Sequence, residues 1–116
     1  MTHDLAQRLL AEEMTAFDLA RAAGHSANAW QALERAHIVS QSFLALHLAS
    51  HWAMLRYALH EHDIKEAWGQ CLRLALAPVG AIFGRLPVGN TGRSNVSAFL
   101  PMPIPRDLLA RMNGKR

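Results

Sequence analysis

Apolar residues recur every three or four positions from the start of the chain to Ala77, the period of helices that bury one face. Leu5, Leu9, Leu10, Ala16, Phe17, Leu19 and Ala20 form one such stripe and predict a first helix over about 3–23, closed by Gly24. Ala29, Trp30, Ala32, Leu33 and Ala36 stripe a second helix over about 27–39, with Ser26 or Asn28 available as its N-cap. Ser40-Gln41-Ser42 has poor helix propensity and predicts a turn. A third helix, over about 43–60, is apolar around half its circumference. In a fourth, over about 64–77, Ile64, Trp68, Leu72 and Ala75 line up, with Cys71 among them. Asp63 and Glu66 match a capping box at its start, and Pro78 is expected to end it.

The pattern changes at Pro78. Residues 78–105 hold all five prolines and four glycines, and read as irregular chain. A short last helix is expected from Pro105 to Met112, with Gly114 just past its end. Ala-Trp recurs on the first turns of helices two and four, 38 residues apart. The expected architecture is therefore all-α. Four helices form a tetratricopeptide-like pair of antiparallel hairpins, followed by a Pro/Gly-rich segment and a terminal helix. One domain covers 1–116, with a helical core over 1–78 and an irregular tail over 79–116 packed on it.

Composition narrows the function classes. With 51% hydrophobic and 18% charged residues the chain can bury a core, so general disorder is excluded. No apolar run approaches the ~20 residues of a membrane span, and the first residues do not resemble a secretory signal. A single cysteine cannot form an internal disulfide, which fits a reducing cytoplasm. Residues 1–78 carry six basic and eight acidic side chains, whereas 79–116 carry six basic and one acidic. That basic tail lacks the aromatic-interleaved stripe of a nucleic-acid surface, and no nucleic-acid partner is expected. A protein or peptide partner, or a second copy of the chain, remains an open expectation.

Seven histidines are the unusual component, and their placement divides them. His3, His25, His60 and His62 fall at a terminus or at turns. His47 and His51, four residues apart, lie within the apolar arc of helix three, and His37 lies in the apolar stripe of helix two. Glu13 interrupts the stripe of helix one. If successive helices are antiparallel, residues equally far from a shared turn lie side by side. Glu13, His37, His47, His51 and, less directly, Cys71 are then expected at one depth. A buried carboxylate is costly unless paired or metal-bound, and a buried histidine stays neutral, the form that ligates. Such donors suit zinc, copper, iron or nickel better than magnesium or calcium. The expectation is a transition-metal site of His37, His47, His51 and Glu13. The alternative is a buried Glu–His hydrogen-bond network in a metal-free interaction module.

Other motifs are weaker. Leu48 follows His47 where a zinc protease would have glutamate. Glu34-x-x-His37 is half of a di-iron bundle pattern without its second copy. Gly89-Asn90-Thr91-Gly92-Arg93 is turn-rich and a candidate anion or partner loop, but it lacks the P-loop ending. No nucleophile motif or cofactor fingerprint marks an enzyme.

The string Leu33-Glu34-Arg35-Ala36-His37, the His47/His51-Trp52 pair, Gly69-Gln70 before Arg73, and Pro87-Val88-Gly89-Asn90-Thr91-Gly92 resemble a bacterial family of small proteins, domain-of-unknown-function family 3703. The resemblance covers nearly the whole chain. It implies no reaction, but it implies a link to heavy-metal resistance gene clusters, which favours metal for His37, His47 and His51.

Overall fold

The computed structural model describes residues 1–82, 84 and 87–115. Helices α1 (His3–Ala22), α2 (Ser26–Ser40), α3 (Leu44–His60) and α4 (Ile64–Ile82) are followed by irregular chain and by α5 (Arg106–Met112). No strand is present among the described residues. The closest packing is between α1 and α2 and between α3 and α4, so the chain forms two successive helical hairpins. Short turns enforce this arrangement. Thr2 caps α1 through its hydroxyl, and Gly24 closes the first turn with φ +75°, a backbone that glycine adopts without strain. Asp63 caps α4 by accepting from the Glu66 N–H.

Two apolar clusters form the core, and the larger joins the hairpins. Phe17, Trp30, Leu33, Met54 and Tyr57 form the larger, with the Phe17 and Tyr57 rings edge to face at 5.1 Å. Leu9, Ile38, Val39 and Leu108 form the smaller, which docks α5 on α1 and α2 with help from Ile104.

Four local expectations need correction. First, α4 runs through Pro78 to Ile82. The proline loses only its own bond, and the residues after it still find acceptors at 75–78. Second, Glu66 does not complete a capping box, because its carboxylate is taken by Arg93, Gln70 and the Ser94 N–H. Third, neither Ser26 nor Asn28 caps α2; His25 holds the cap position, and the Ser26 hydroxyl donates to Glu61 instead.

The fourth correction is the largest. Ile64, Trp68, Leu72 and Ala75 are exposed, and so is Cys71, while α4 buries Glu66, Gln70 and Arg73. The helix has turned its polar face inward. Trp68 is 73% exposed, whereas Trp30, its counterpart on α2, is 7% exposed. The repeated Ala-Trp therefore places its alanines alike, Ala29 and Ala67 both in the core, but its tryptophans in opposite environments. No helix among the described residues is long and apolar enough to cross a membrane.

Candidate metal centre

His37 on α2 and His47 and His51 on α3 meet in the interior where the two hairpins face each other. All three are buried. The Nε2 atom of His47 lies 3.0 Å from Nε2 of His37 and 3.1 Å from Nε2 of His51. The i, i+4 spacing on α3 brings two of the rings together, and α2 supplies the third. One ligand atom from each histidine lies within 4.8 Å of the others. With zinc–nitrogen bonds of ~2.0–2.1 Å, separations near 3 Å correspond to N–metal–N angles of roughly 90–100°. Those angles hold for the two pairs that share His47, and the three nitrogens converge on one point from two helices.

The tautomers are fixed from outside the cluster. His37 Nδ1 lies 2.7 Å from the Asn90 carbonyl oxygen, which can only accept, so His37 Nδ1 carries the hydrogen. The amide nitrogen of Gln70 donates to the Glu66 carboxylate at 2.8 Å and to the Gly92 carbonyl at 2.9 Å. Both partners are acceptors, which sets the Gln70 amide orientation and turns its oxygen toward His51. His51 Nδ1, 2.7 Å from that oxygen, must therefore donate. Consequently Nε2 of both His37 and His51 is a lone pair aimed at His47. A single hydrogen on His47 Nε2 can satisfy only one of them well.

Protonating the cluster is unfavourable. Burial first, and then the neighbouring His51, lower the pKa of His47 to about 4. Burial, the other two histidines and Arg73 hold His37 well below the usual imidazole range. Burial lowers His51 as well, against the opposing pull of the Gln70 hydrogen bond. At neutral pH the site therefore presents three neutral imidazoles, two with converging Nε2 lone pairs and a third, His47, that offers its own when its hydrogen moves to Nδ1; neutral imidazole is the state a metal ion requires.

Residues 87–97 form the cover of the site. Gln41 donates to the Pro87 carbonyl at 2.9 Å, and Asn90 donates to the carbonyls of Ser97 and Leu100 at 2.8 and 2.7 Å. Gly92, at φ +80°, lies against the His37 ring; a Cβ there would fall 2.6 Å from the imidazole. Gly69 lets α4 approach equally closely, since a Cβ would fall 2.2 Å from that of Ser94. Arg93 clasps the cover to the helices. Its guanidinium sits 3.7 Å from the Trp30 ring centroid and donates to Glu66 at 2.7 Å. Burial raises the proton affinity of Glu66, but Arg93, Gln70 and the Ser94 N–H outweigh it and hold the carboxyl below its ordinary range.

The predicted ligand set is thus brought together in part. His37, His47 and His51 converge, but Glu13 does not join them. Its carboxylate accepts from Arg35 at 2.9 Å, and Arg35 also pairs with Asp107 on α5. Arg35 and His37 are two residues apart, or roughly 200° around α2, so they serve opposite neighbours. Equal distance from a turn does not fix direction, and the Glu13 carboxylate faces Arg35. Cys71 points to solvent. Glu34 lies 3.8 Å from Arg93 and outside the cluster. In the Gly89–Arg93 loop, Arg93 is engaged by Glu66 and Trp30, and Asn90 supports His37, so the loop serves as a cover.

Gln70, Glu66 and Arg73 were missed by sequence reasoning. Their signal was a polar stripe at spacings of four and three residues along an otherwise apolar helix.

The family model described as protein of unknown function (DUF3703) matches residues 4–112. The chain belongs to this family. No curated protein and no solved structure matches the chain. The match spans α1 to α5, so every residue of the histidine site and its cover lies inside the family's domain.

Proposed function

We propose that this chain binds a transition-metal ion through Nε2 of His37, His47 and His51, as part of metal handling in the cell. The observation that carries this reading is the pair of fixed tautomers. Asn90 and Gln70 hold two Nε2 lone pairs on one point, as outer partners of metal-bound histidines do. Neutral imidazole donors suit zinc, copper, nickel or iron. Three nitrogens leave coordination positions open, which distinguishes the site from a closed structural zinc site. Glu13 is not in the proposed ligand set.

The test is elemental analysis and calorimetric titration of protein purified without a polyhistidine tag. One equivalent of metal should bind, and His47→Ala should lower affinity at least a hundredfold. Equal binding by wild type and His47→Ala overturns the proposal. The exposed apolar residues Ile64, Trp68 and Leu72 favour a second reading, a metal-free interaction module. On that reading no stoichiometric metal binds, and the triad is a buried polar network.

A further inference from the structure

Beside the three histidines lies a cavity of about 370 Å³. The histidines form part of its wall, and Leu76, Ala77, Val79, Pro87 and Phe99 make the remainder largely apolar. Val79 and Phe99 are exposed and mark its opening to solvent. Arg73 also lines it and is 9% exposed. No acidic side chain among the described residues forms an ion pair with Arg73; Glu66, whose charge favours the Arg73 cation, is itself paired with Arg93. The guanidinium is steadied by carbonyl oxygens, of Val96 at 2.6 Å and Gly69 at 3.3 Å. Those bonds use two of its five N–H groups, and Nε is buried without a partner.

The second buried side-chain atom without a partner is His47 Nδ1. When His47 ligates through Nε2, its Nδ1 carries the hydrogen and becomes a donor. Both orphaned atoms are enclosed, but their side chains line one cavity, and Arg73 brings to it a buried cation with no ion-pair partner among the described residues. Burying a charge without a partner is costly, and a dication in the triad would add to the same sign. An anion with acceptor oxygens and an apolar remainder would complement these groups.

We infer that the cavity binds a small organic carboxylate, its oxygens on Arg73 and on the open face of the metal held by His37, His47 and His51, its hydrocarbon part between Leu76, Val79, Pro87 and Phe99. This deepens the metal reading and rests on it for one of the two carboxylate contacts. A guanidinium fork matches a carboxylate, and the apolar walls disfavour a fully hydrated inorganic anion.

The test uses the full chain, metal-free and loaded with one equivalent of Co(II), titrated with hexanoate, hexanol, acetate and inorganic phosphate. Calorimetry and the visible cobalt spectrum are the readouts. Hexanoate should bind at least tenfold tighter than the other three and shift the cobalt bands. Arg73→Met should lose at least tenfold in hexanoate affinity while still binding cobalt. If Arg73→Met does not fold, Ala98→Trp, which fills the cavity from its wall, should abolish hexanoate binding and leave cobalt binding intact. Equal affinity for hexanoate and hexanol, equal affinity for hexanoate and phosphate, or unchanged hexanoate binding in the variant that folds overturns the inference. Failure of cobalt itself to bind overturns the metal reading instead. The metal-free arm then decides whether Arg73 alone selects the carboxylate.

Discussion

Helices α2 and α4 occupy the same place in their hairpins and begin with the same Ala-Trp pair, yet they bury opposite kinds of surface. In α2 the apolar stripe faces the core, and Trp30 packs near Phe17 and Tyr57 with Arg93 over its ring. In α4 the apolar stripe faces solvent and the Glu66–Gln70–Arg73 stripe faces inward. The difference lies in what each helix has to cover. Helix α2 runs through the core, where apolar burial decides its orientation and His37 is the residue it gives to the site. Against the buried histidines, α4 must provide acceptors and donors, and a hydrocarbon face there would leave His51 Nδ1 unsatisfied. Hydrophobic periodicity therefore fails where the interior is polar by design of the site.

The comparison can be broken most sharply at its two tryptophans. Trp30→Ala is expected to cost ~3–5 kcal/mol by chemical denaturation, because it empties a core position and removes the ring beneath Arg93. A loss comparable to that of an exposed residue would remove the distinction between the two helices.

Next in size is the acid response of the metal-free protein. His47 titrates near 4 when folded, whereas an unfolded histidine titrates near 6.5. On acidification the unfolded chain binds the proton first, so stability falls as pH drops through 6.5 toward 4. The slope approaches 1.4 kcal/mol per pH unit for each such histidine, at about the limiting value. His37 and His51 shift in the same direction. Denaturation midpoints that stay flat between pH 7 and 5 would contradict a neutral buried triad.

Two smaller effects test the polar side of α4 and its cover. Gly92→Ala places a methyl group against His37 at a positive φ, and about 1–3 kcal/mol of stability should be lost together with metal affinity. Gln70→Leu keeps the volume but removes the acceptor that fixes the His51 tautomer. Metal affinity should fall ~10–100-fold, measured by competition with a chelator. An unchanged affinity would mean that α4 is packing material only. The smallest effect should be Trp68→Ala, within about 0.5 kcal/mol of wild type, as for most exposed positions.

Much of the fold was legible because the first three helices carry apolar residues at helical spacing, although Ala16 and Leu19 of α1 and Trp52 and Leu59 of α3 face solvent. Gly24 and Asp63 punctuate them as their chemistry requires. The three histidines were legible for the same reason in reverse, as polar residues inside apolar stripes. Glu13 met that criterion equally well and still belongs elsewhere, because Arg35 on the facing side of α2 takes its carboxylate. Spacing along one helix does not reveal which neighbour each side meets. Gln70 and Arg73 stayed hidden because the apolar face of α4 looked like the buried one. The role of Asn90 depends on a contact between residues 53 positions apart, which no local pattern carries.

The central claim is that three imidazole nitrogens hold one metal ion. X-ray absorption spectroscopy at the zinc edge, on untagged protein loaded with one equivalent of zinc, tests it most directly. Three histidine nitrogens at ~2.0–2.1 Å, with a light atom completing the shell and no sulfur, are expected. A sulfur scatterer near 2.3 Å would place Cys71 in the shell. That result, or an all-oxygen shell of loosely held zinc, would contradict the account.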